Sequence, residues 1–79
     1  MDKQLLSNTL VRLSPRLIRV LRGYAKFPTE RNECYMTGYI TALNESGQMK
    51  DEDYSYLLAL CGSLRADEEV RNTLKEALE

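Results

Sequence analysis

Apolar side chains recur at intervals of three and four residues along most of this chain, and no segment of useful length alternates apolar and polar residues with a period of two. A repeat near 3.6 residues places side chains on one face of an α-helix, whereas a repeat of two is typical of a β-strand. The pattern therefore predicts an all-α fold, a small bundle of four or five short helices.

Two local signals for the start of a helix divide residues 1–26 into two segments. Asp2 is a suitable N-cap for a helix over 3–13, and Ser14 followed by Pro15 is a second start signal, because proline lacks the N–H group that is unpaired in a first turn. Proline also disfavours α geometry at the residue before it. We therefore expect two helices here, the second over 15–26, in preference to one long helix that is kinked at the proline.

The rest of the chain carries similar signals. Thr29 is the predicted N-cap of a third helix through Asn44, and Gly47 suits the left-handed position that follows a helix end. Asp51 is the predicted cap of a fourth helix, whose acidic first turn faces the positive end of the helix dipole. A further acidic start at Asp67 predicts a fifth helix.

The apolar stripes of these helices form the predicted core. Its members are Leu5, Leu6, Leu10, Leu13, Leu17, Val20, Leu21, Tyr24, Tyr35, Met36, Tyr39, Ile40, Leu43, Tyr54, Leu57, Leu58, Cys61, Leu64, Val70, Leu74, Ala77 and Leu78. A chain of this size buries only about 60% of its unfolded surface, so the core is marginal. We therefore expect a single helical domain over 1–79 that gains further burial by forming a homo-oligomer.

No segment predicts export or membrane insertion. The start of the chain lacks the apolar stretch of a secretory signal, and the longest apolar run, Tyr56 to Cys61, is far shorter than the roughly 20 residues that span a bilayer. We expect a cytoplasmic protein with no membrane contact and with reduced thiols. The segment 42–54, a helix stop followed by an acidic helix start, resembles the connector of short bacterial and phage helical-hairpin proteins, and we expect a source of that kind.

Catalytic chemistry is not expected. The chain has no His and two Cys, so the commonest general base is absent and neither Cys34 nor Cys61 has a residue that would activate it. The acidic cluster at 51–53 is explained by the helix start and does not form the cage that a metal ion needs. The glycines are isolated and make no phosphate-binding loop. We predict a non-enzymatic protein without catalytic residues, metal site or cofactor.

The charge distribution is the main functional signal. Residues 1–31 carry seven basic and two acidic side chains, a net of plus five, whereas residues 32–79 carry four basic and ten acidic ones, a net of minus six. A basic stripe with steps of three and four consists of Arg12, Arg16, Arg19, Arg22 and Lys26. All five share one face if the chain is helical through Pro15, and a break there still leaves the last four together.

Three interpretations of the basic stripe remain open. It is a solvated helix face or pairs with the acidic half of the chain, it binds an acidic protein surface, or it binds nucleic acid. The acidic start of the fourth helix would repel DNA, and Tyr24, Tyr35 and Tyr39 are more typical of packing than of base stacking. We predict a small regulatory or adaptor protein that binds an acidic protein partner, with low-specificity nucleic-acid binding as the alternative.

Overall fold

The computed structural model describes residues 1–79 and consists of five α-helices joined by short turns. The helices are α1 (Lys3–Leu10), α2 (Pro15–Lys26), α3 (Glu30–Glu45), α4 (Asp51–Leu64) and α5 (Glu68–Leu78). No residue is in a β-strand, so the predicted all-α fold is confirmed. None of the helices is both long enough and apolar enough to cross a membrane.

Helices α2 to α5 form a closed ring of neighbours. α2 packs on α3, α3 on α4, α4 on α5, and α5 returns to α2, while α1 packs against α5. The radius of gyration is 11.4 Å, close to the roughly 12 Å expected for a compact chain of this length. α2, which carries most of the basic stripe, therefore has α3 on one side and α5 on the other.

Four of the five helices begin at a side chain that accepts a hydrogen bond from a backbone N–H of the first turn. These N-caps are Asp2, Ser14, Thr29 and Asp67. The Ser14 hydroxyl accepts at 3.2 Å, and Pro15 is the first helical residue after it. The predicted break between α1 and α2 is therefore confirmed, and the alternative of one kinked helix is wrong.

The start of α4 differs from the prediction. Lys50, and not Asp51, is the N-cap residue, and it makes no side-chain cap bond. The Asp51 carboxylate instead accepts a hydrogen bond from Asn44 Nδ2 at 2.8 Å, and the same amide donates to the Met49 carbonyl at 3.1 Å. Asn44 thus ties the end of α3 to the start of α4, and Asp51 is the first helical residue rather than the cap.

Gly47 ends α3 in the left-handed conformation, with φ at 79°. Its N–H donates to the Asn44 carbonyl at 3.1 Å, and the N–H of Gln48 donates to the Leu43 carbonyl at 2.9 Å. These two bonds form a Schellman motif, which satisfies carbonyl groups at the helix end. The position predicted for this glycine is confirmed.

Alanine should have opposite effects at two glycines of this region. At Gly47 it would have to adopt a left-handed backbone, so Gly47→Ala should lower the free energy of unfolding by about 1–2 kcal/mol. Gly38 lies within α3, and a Cβ atom there would meet nothing within 4 Å. Gly38→Ala should therefore raise the free energy of unfolding by about 1 kcal/mol. Urea denaturation measures both variants, and a change of the same sign in both would contradict this account.

One hydrophobic core connects all five helices. Its buried members are Leu6, Leu10, Leu17, Leu21, Tyr24, Ala25, Met36, Ile40, Met49, Leu57, Leu60, Cys61, Leu64, Leu74 and Leu78. Most were predicted from the apolar stripes. Ala25, Met49 and Leu60 are additions that the stripes did not include.

Three predicted core positions are at the surface instead. Leu5 is 46% exposed, Tyr35 is 61% exposed, and Ala77 is exposed as well. α1 ends at Leu10, earlier than predicted, and it faces the core through Leu6, Thr9 and Leu10. Consecutive residues of a helix point about 100° apart, and the rotation of α1 that buries Leu6 and Leu10 leaves Leu5 outside the core-facing side.

Candidate functional site

The basic side chains of α2 lie opposite the face that enters the core. The buried residues of this helix are Leu17, Leu21, Tyr24 and Ala25. The exposed basic residues, which we call the α2 basic face, are Arg16, Arg19, Arg22 and Lys26. The packing of α2 into the ring thus leaves four of the five predicted residues together at the surface.

Arg12 is not part of this face. It lies in the turn between α1 and α2, where its Nη2 donates to Asp53 Oδ1 at 2.8 Å and its Nε donates to Asp53 Oδ2 at 3.2 Å. This hydrogen bond raises the pKa of Arg12 above its ordinary value, and Asp53 is only 8% exposed. Arg12 therefore connects the turn to the first turn of α4, and its guanidinium group is already paired within the chain.

Arg22 also has an internal partner. Its Nη2 donates to the Leu78 carbonyl at 2.6 Å, at the C-terminal end of α5. A cation is favourable there, because the last carbonyl groups of a helix are unpaired and carry partial negative charge. Arg22 consequently helps to hold α2 against α5, although it is exposed.

The other three residues of the α2 basic face, Arg16, Arg19 and Lys26, form no ion pair within the chain. The two ion pairs of the structure are Arg12–Asp53 and Arg65–Glu33. The second of these lies wholly within the acidic half, so the two halves are paired through Arg12 alone. Internal pairing therefore does not account for the charge of α2.

A groove of about 230 Å³ lies between α2 and α3, beside the α2 basic face. The residues that line this α2–α3 groove are Arg19, Val20, Gly23, Tyr24, Phe27, Asn32 and Tyr35. Phe27 is 59% exposed and Tyr35 is 61% exposed. Aromatic residues and arginine are enriched in protein–protein interfaces, so this combination marks the groove as a candidate binding surface.

The turn between α2 and α3 holds the backbone of Phe27 in place. The Phe27 carbonyl accepts hydrogen bonds from Asn32 Nδ2 at 2.8 Å and from the Thr29 N–H at 2.8 Å. The Thr29 hydroxyl accepts in turn from the Asn32 N–H at 3.1 Å. Lys26 Nζ lies 5.6 Å from the centroid of the Phe27 ring. An exposed aromatic residue on a fixed backbone loses little conformational freedom on binding, which favours affinity.

The groove residues Gly23, Phe27 and Tyr35 were not predicted as site residues. Tyr35 belongs to the same apolar run as Met36, and helical spacing alone does not decide which of the two faces the core. The structure buries Met36 together with Ile40 and leaves Tyr35 outside. No signal in the sequence places a residue at a groove, because the groove is formed by two helices.

Tyr24 is not available for stacking on a base. It is 1% exposed, and its hydroxyl donates to the Cys61 carbonyl at 2.8 Å. Burial, with a smaller contribution from Glu33, raises the pKa of Tyr24 to about 12. Of the predicted aromatic residues, Tyr35 is therefore the one that is largely exposed, and Tyr39 packs against it with ring centroids 6.3 Å apart.

Comparison with known proteins adds no relative, since the chain matches no protein-family model, and no curated protein or solved structure shows significant similarity to it.

Proposed function

We propose that this chain is a small non-enzymatic adaptor or regulatory protein, which binds an acidic surface of a partner protein through the α2 basic face. The observation that carries the proposal is that Arg16, Arg19 and Lys26 are exposed and unpaired in a chain with twelve acidic residues. The guanidinium group pairs with carboxylates through two parallel hydrogen bonds, which makes arginine well suited to such a surface.

The small number of unpaired cations on the α2 basic face favours a protein partner over nucleic acid. The three unpaired side chains of the α2 basic face, Arg16, Arg19 and Lys26, would contact about three phosphates, whereas proteins with strong electrostatic binding to DNA contact roughly six to ten. Residues 32–79, with a net charge of minus six, would also repel a polyanion. A partner that carries a limited acidic patch avoids this repulsion.

The state of the cysteines supports a non-enzymatic role. Burial raises the pKa of the Cys61 thiol to about 12, with a further contribution from Glu33, so this residue is not a thiolate at neutral pH. Cys34 is exposed, but the chain holds no histidine to activate it. A nucleophilic mechanism requires an activated thiolate.

Reversal of charge on α2 tests the proposal. We expect Arg16→Glu combined with Arg19→Glu to weaken partner binding at least about tenfold, equivalent to about 1.4 kcal/mol, because carboxylates would then face carboxylates. Arg22 is kept, since its bond to the Leu78 carbonyl is structural. The experiment is affinity capture with the wild-type and reversed proteins, followed by calorimetric titration of the purified captured partner. Far-UV circular dichroism should show unchanged helicity.

A matched control carries the same change in net charge elsewhere. Lys3→Glu combined with Lys50→Glu alters two exposed lysines that lie outside α2, and it should leave partner binding unchanged. Capture of the same proteins at the same affinity by both double variants would show the proposal to be wrong. Retardation of DNA or RNA at low salt by the wild-type protein, lost in the α2 variant, would replace it with nucleic-acid binding.

A further inference from the structure

The α2–α3 groove combines an open floor, an aromatic rim and positive charge. Gly23 lines the groove, and a Cβ atom at this position would meet nothing within 4 Å. Phe27 and Tyr35 are the most exposed aromatic residues on its sides, and Arg19 also lines it. No side chain of the protein itself therefore fills the space above the glycine.

The charged groups around the groove are mainly positive. Arg19 lines it, Lys26 lies against the Phe27 ring, and Arg31 precedes Tyr35 by one turn of α3, so the two side chains are neighbours on that helix. Of the acidic residues at the start of α3, Glu33 is bound by Arg65 Nη1 at 2.7 Å, which leaves Glu30. The local charge thus selects an occupant that carries carboxylates.

We propose that the α2–α3 groove receives one large apolar side chain from an acidic segment of a partner protein, while carboxylates of the same segment pair with Arg16 and Arg19. This inference rests on the proposed function and specifies the partner: an acidic chain segment with a phenylalanine-like or leucine-like residue among its carboxylates. Phe27 and Tyr35, which line the groove, contact the inserted side chain. Aromatic and arginine residues dominate the binding energy of many interfaces, and the groove is lined by residues of both kinds.

The size of the groove agrees with a single side chain. Its volume of about 230 Å³ is below the roughly 300–1,000 Å³ of pockets that enclose small molecules. A base of single-stranded nucleic acid would also find aromatic contacts here, but strong binding of its backbone needs about six to ten phosphate contacts, more than the few unpaired cations beside the groove provide. The acidic segment needs only one apolar contact in the groove and ion pairs with Arg16 and Arg19.

Two synthetic peptides test the inference. Both are short and rich in aspartate and glutamate, and they differ at one central position, which is phenylalanine in one and serine in the other. Affinities are measured by titration at low salt with ¹H–¹⁵N NMR, which also shows where each peptide binds. We expect the phenylalanine peptide to bind at least about tenfold more tightly, because it buries an aromatic ring, and to shift the amide signals of Gly23, Phe27 and Asn32.

A pair of glycine variants distinguishes an effect of the groove on binding from a general effect on the stability of the fold. Gly23→Gln puts a side chain into the groove, whereas Gly38→Gln adds the same side chain to α3, at a glycine that does not line the groove. Both replace a helical glycine and should raise the thermal stability. We expect Gly23→Gln to abolish the tenfold preference for phenylalanine and Gly38→Gln to keep it. Arg16→Glu, which changes a residue outside the groove lining, should weaken both peptides by the same factor and keep the preference.

Each alternative outcome has a distinct meaning. Equal affinity for the two peptides, with both lost on charge reversal, would overturn the groove inference and leave the proposed function in place. Binding of neither peptide would overturn the inference, while the capture experiment decides the proposed function separately. Displacement of the phenylalanine peptide by poly(dT) would assign the groove to nucleic acid. A dimer seen by sedimentation, and dissociated by Gly23→Gln, would assign it to a second copy of this chain.

Discussion

Leu6→Ala should lower the free energy of unfolding by about 2–5 kcal/mol, whereas Leu5→Ala should change it by less than about 1 kcal/mol. Leu6 is 1% exposed and belongs to the core, while Leu5 is 46% exposed. Removing a buried leucine side chain loses its transfer free energy and leaves a cavity, but removing an exposed one loses little. The two variants carry the same chemical change on the same helix, so each is the control for the other.

The consequence of Leu6→Ala should be severe because the domain is small. A chain of this length has a total stability of roughly 4–12 kcal/mol at the usual value per residue, so the substitution removes a large share of it. Urea denaturation followed by circular dichroism measures both free energies. Similar losses for the two variants would mean that α1 faces α5 differently from the structure described above.

Stability should also fall as the pH rises above 9. Burial raises the pKa of the Cys61 thiol from 9.0 to about 12, so between these values the unfolded chain binds fewer protons than the folded one. The free energy of unfolding therefore decreases with rising pH. The contribution is fully present below pH 9, and its loss by pH 12 amounts to about 4 kcal/mol.

Ionisation of Tyr24 should also lower the free energy of unfolding with rising pH, over the narrower range from pH 10 to pH 12. Its pKa is raised from 10.0 to about 12, chiefly by burial, which corresponds to about 3 kcal/mol lost between these pH values. The Tyr24 hydroxyl donates to the Cys61 carbonyl, so ionisation also removes that hydrogen bond. Because the two residues are in contact, their contributions are not expected to be additive.

Thermal unfolding between pH 7 and pH 12 measures this dependence. Cys61→Ala removes the thiol and should give a profile that falls less steeply between pH 9 and pH 12 than that of the wild type. All other side chains are the same in the two proteins, so their contributions cancel in the comparison. Parallel profiles for the two proteins would contradict the assigned burial of the thiol.

Helix boundaries were predictable because their causes are local. The Ser14 cap and Pro15 are adjacent in the chain, and the hydrogen bond that confirms the cap extends three residues. The Gly47 turn is similar, since its bonds return only to Leu43 and Asn44. The prediction for Asp51 was wrong for a reason that is not local. Its carboxylate accepts a hydrogen bond from Asn44 of the preceding helix, and Lys50 is the N-cap of α4.

The candidate site was predictable in part. The spacing of Arg16, Arg19 and Lys26 places them on one side of α2, and the structure exposes them there. The partner of Arg12 could not be predicted, because Asp53 lies 41 residues further along the chain. The α2–α3 groove has no counterpart in any single stretch of sequence.

The sequence by itself determined the all-helical fold, most of the helix limits and the separation of basic from acidic residues, since these depend on bonds and periodicities that extend over a few residues. The tertiary structure decided which of two adjacent residues, Leu5 or Leu6, is buried, since that depends on how α1 is rotated against α5. It also decided which cations of the basic stripe are paired and where exposed aromatic residues meet a groove. Those outcomes depend on distances between helices, which are set by the packing of the whole core.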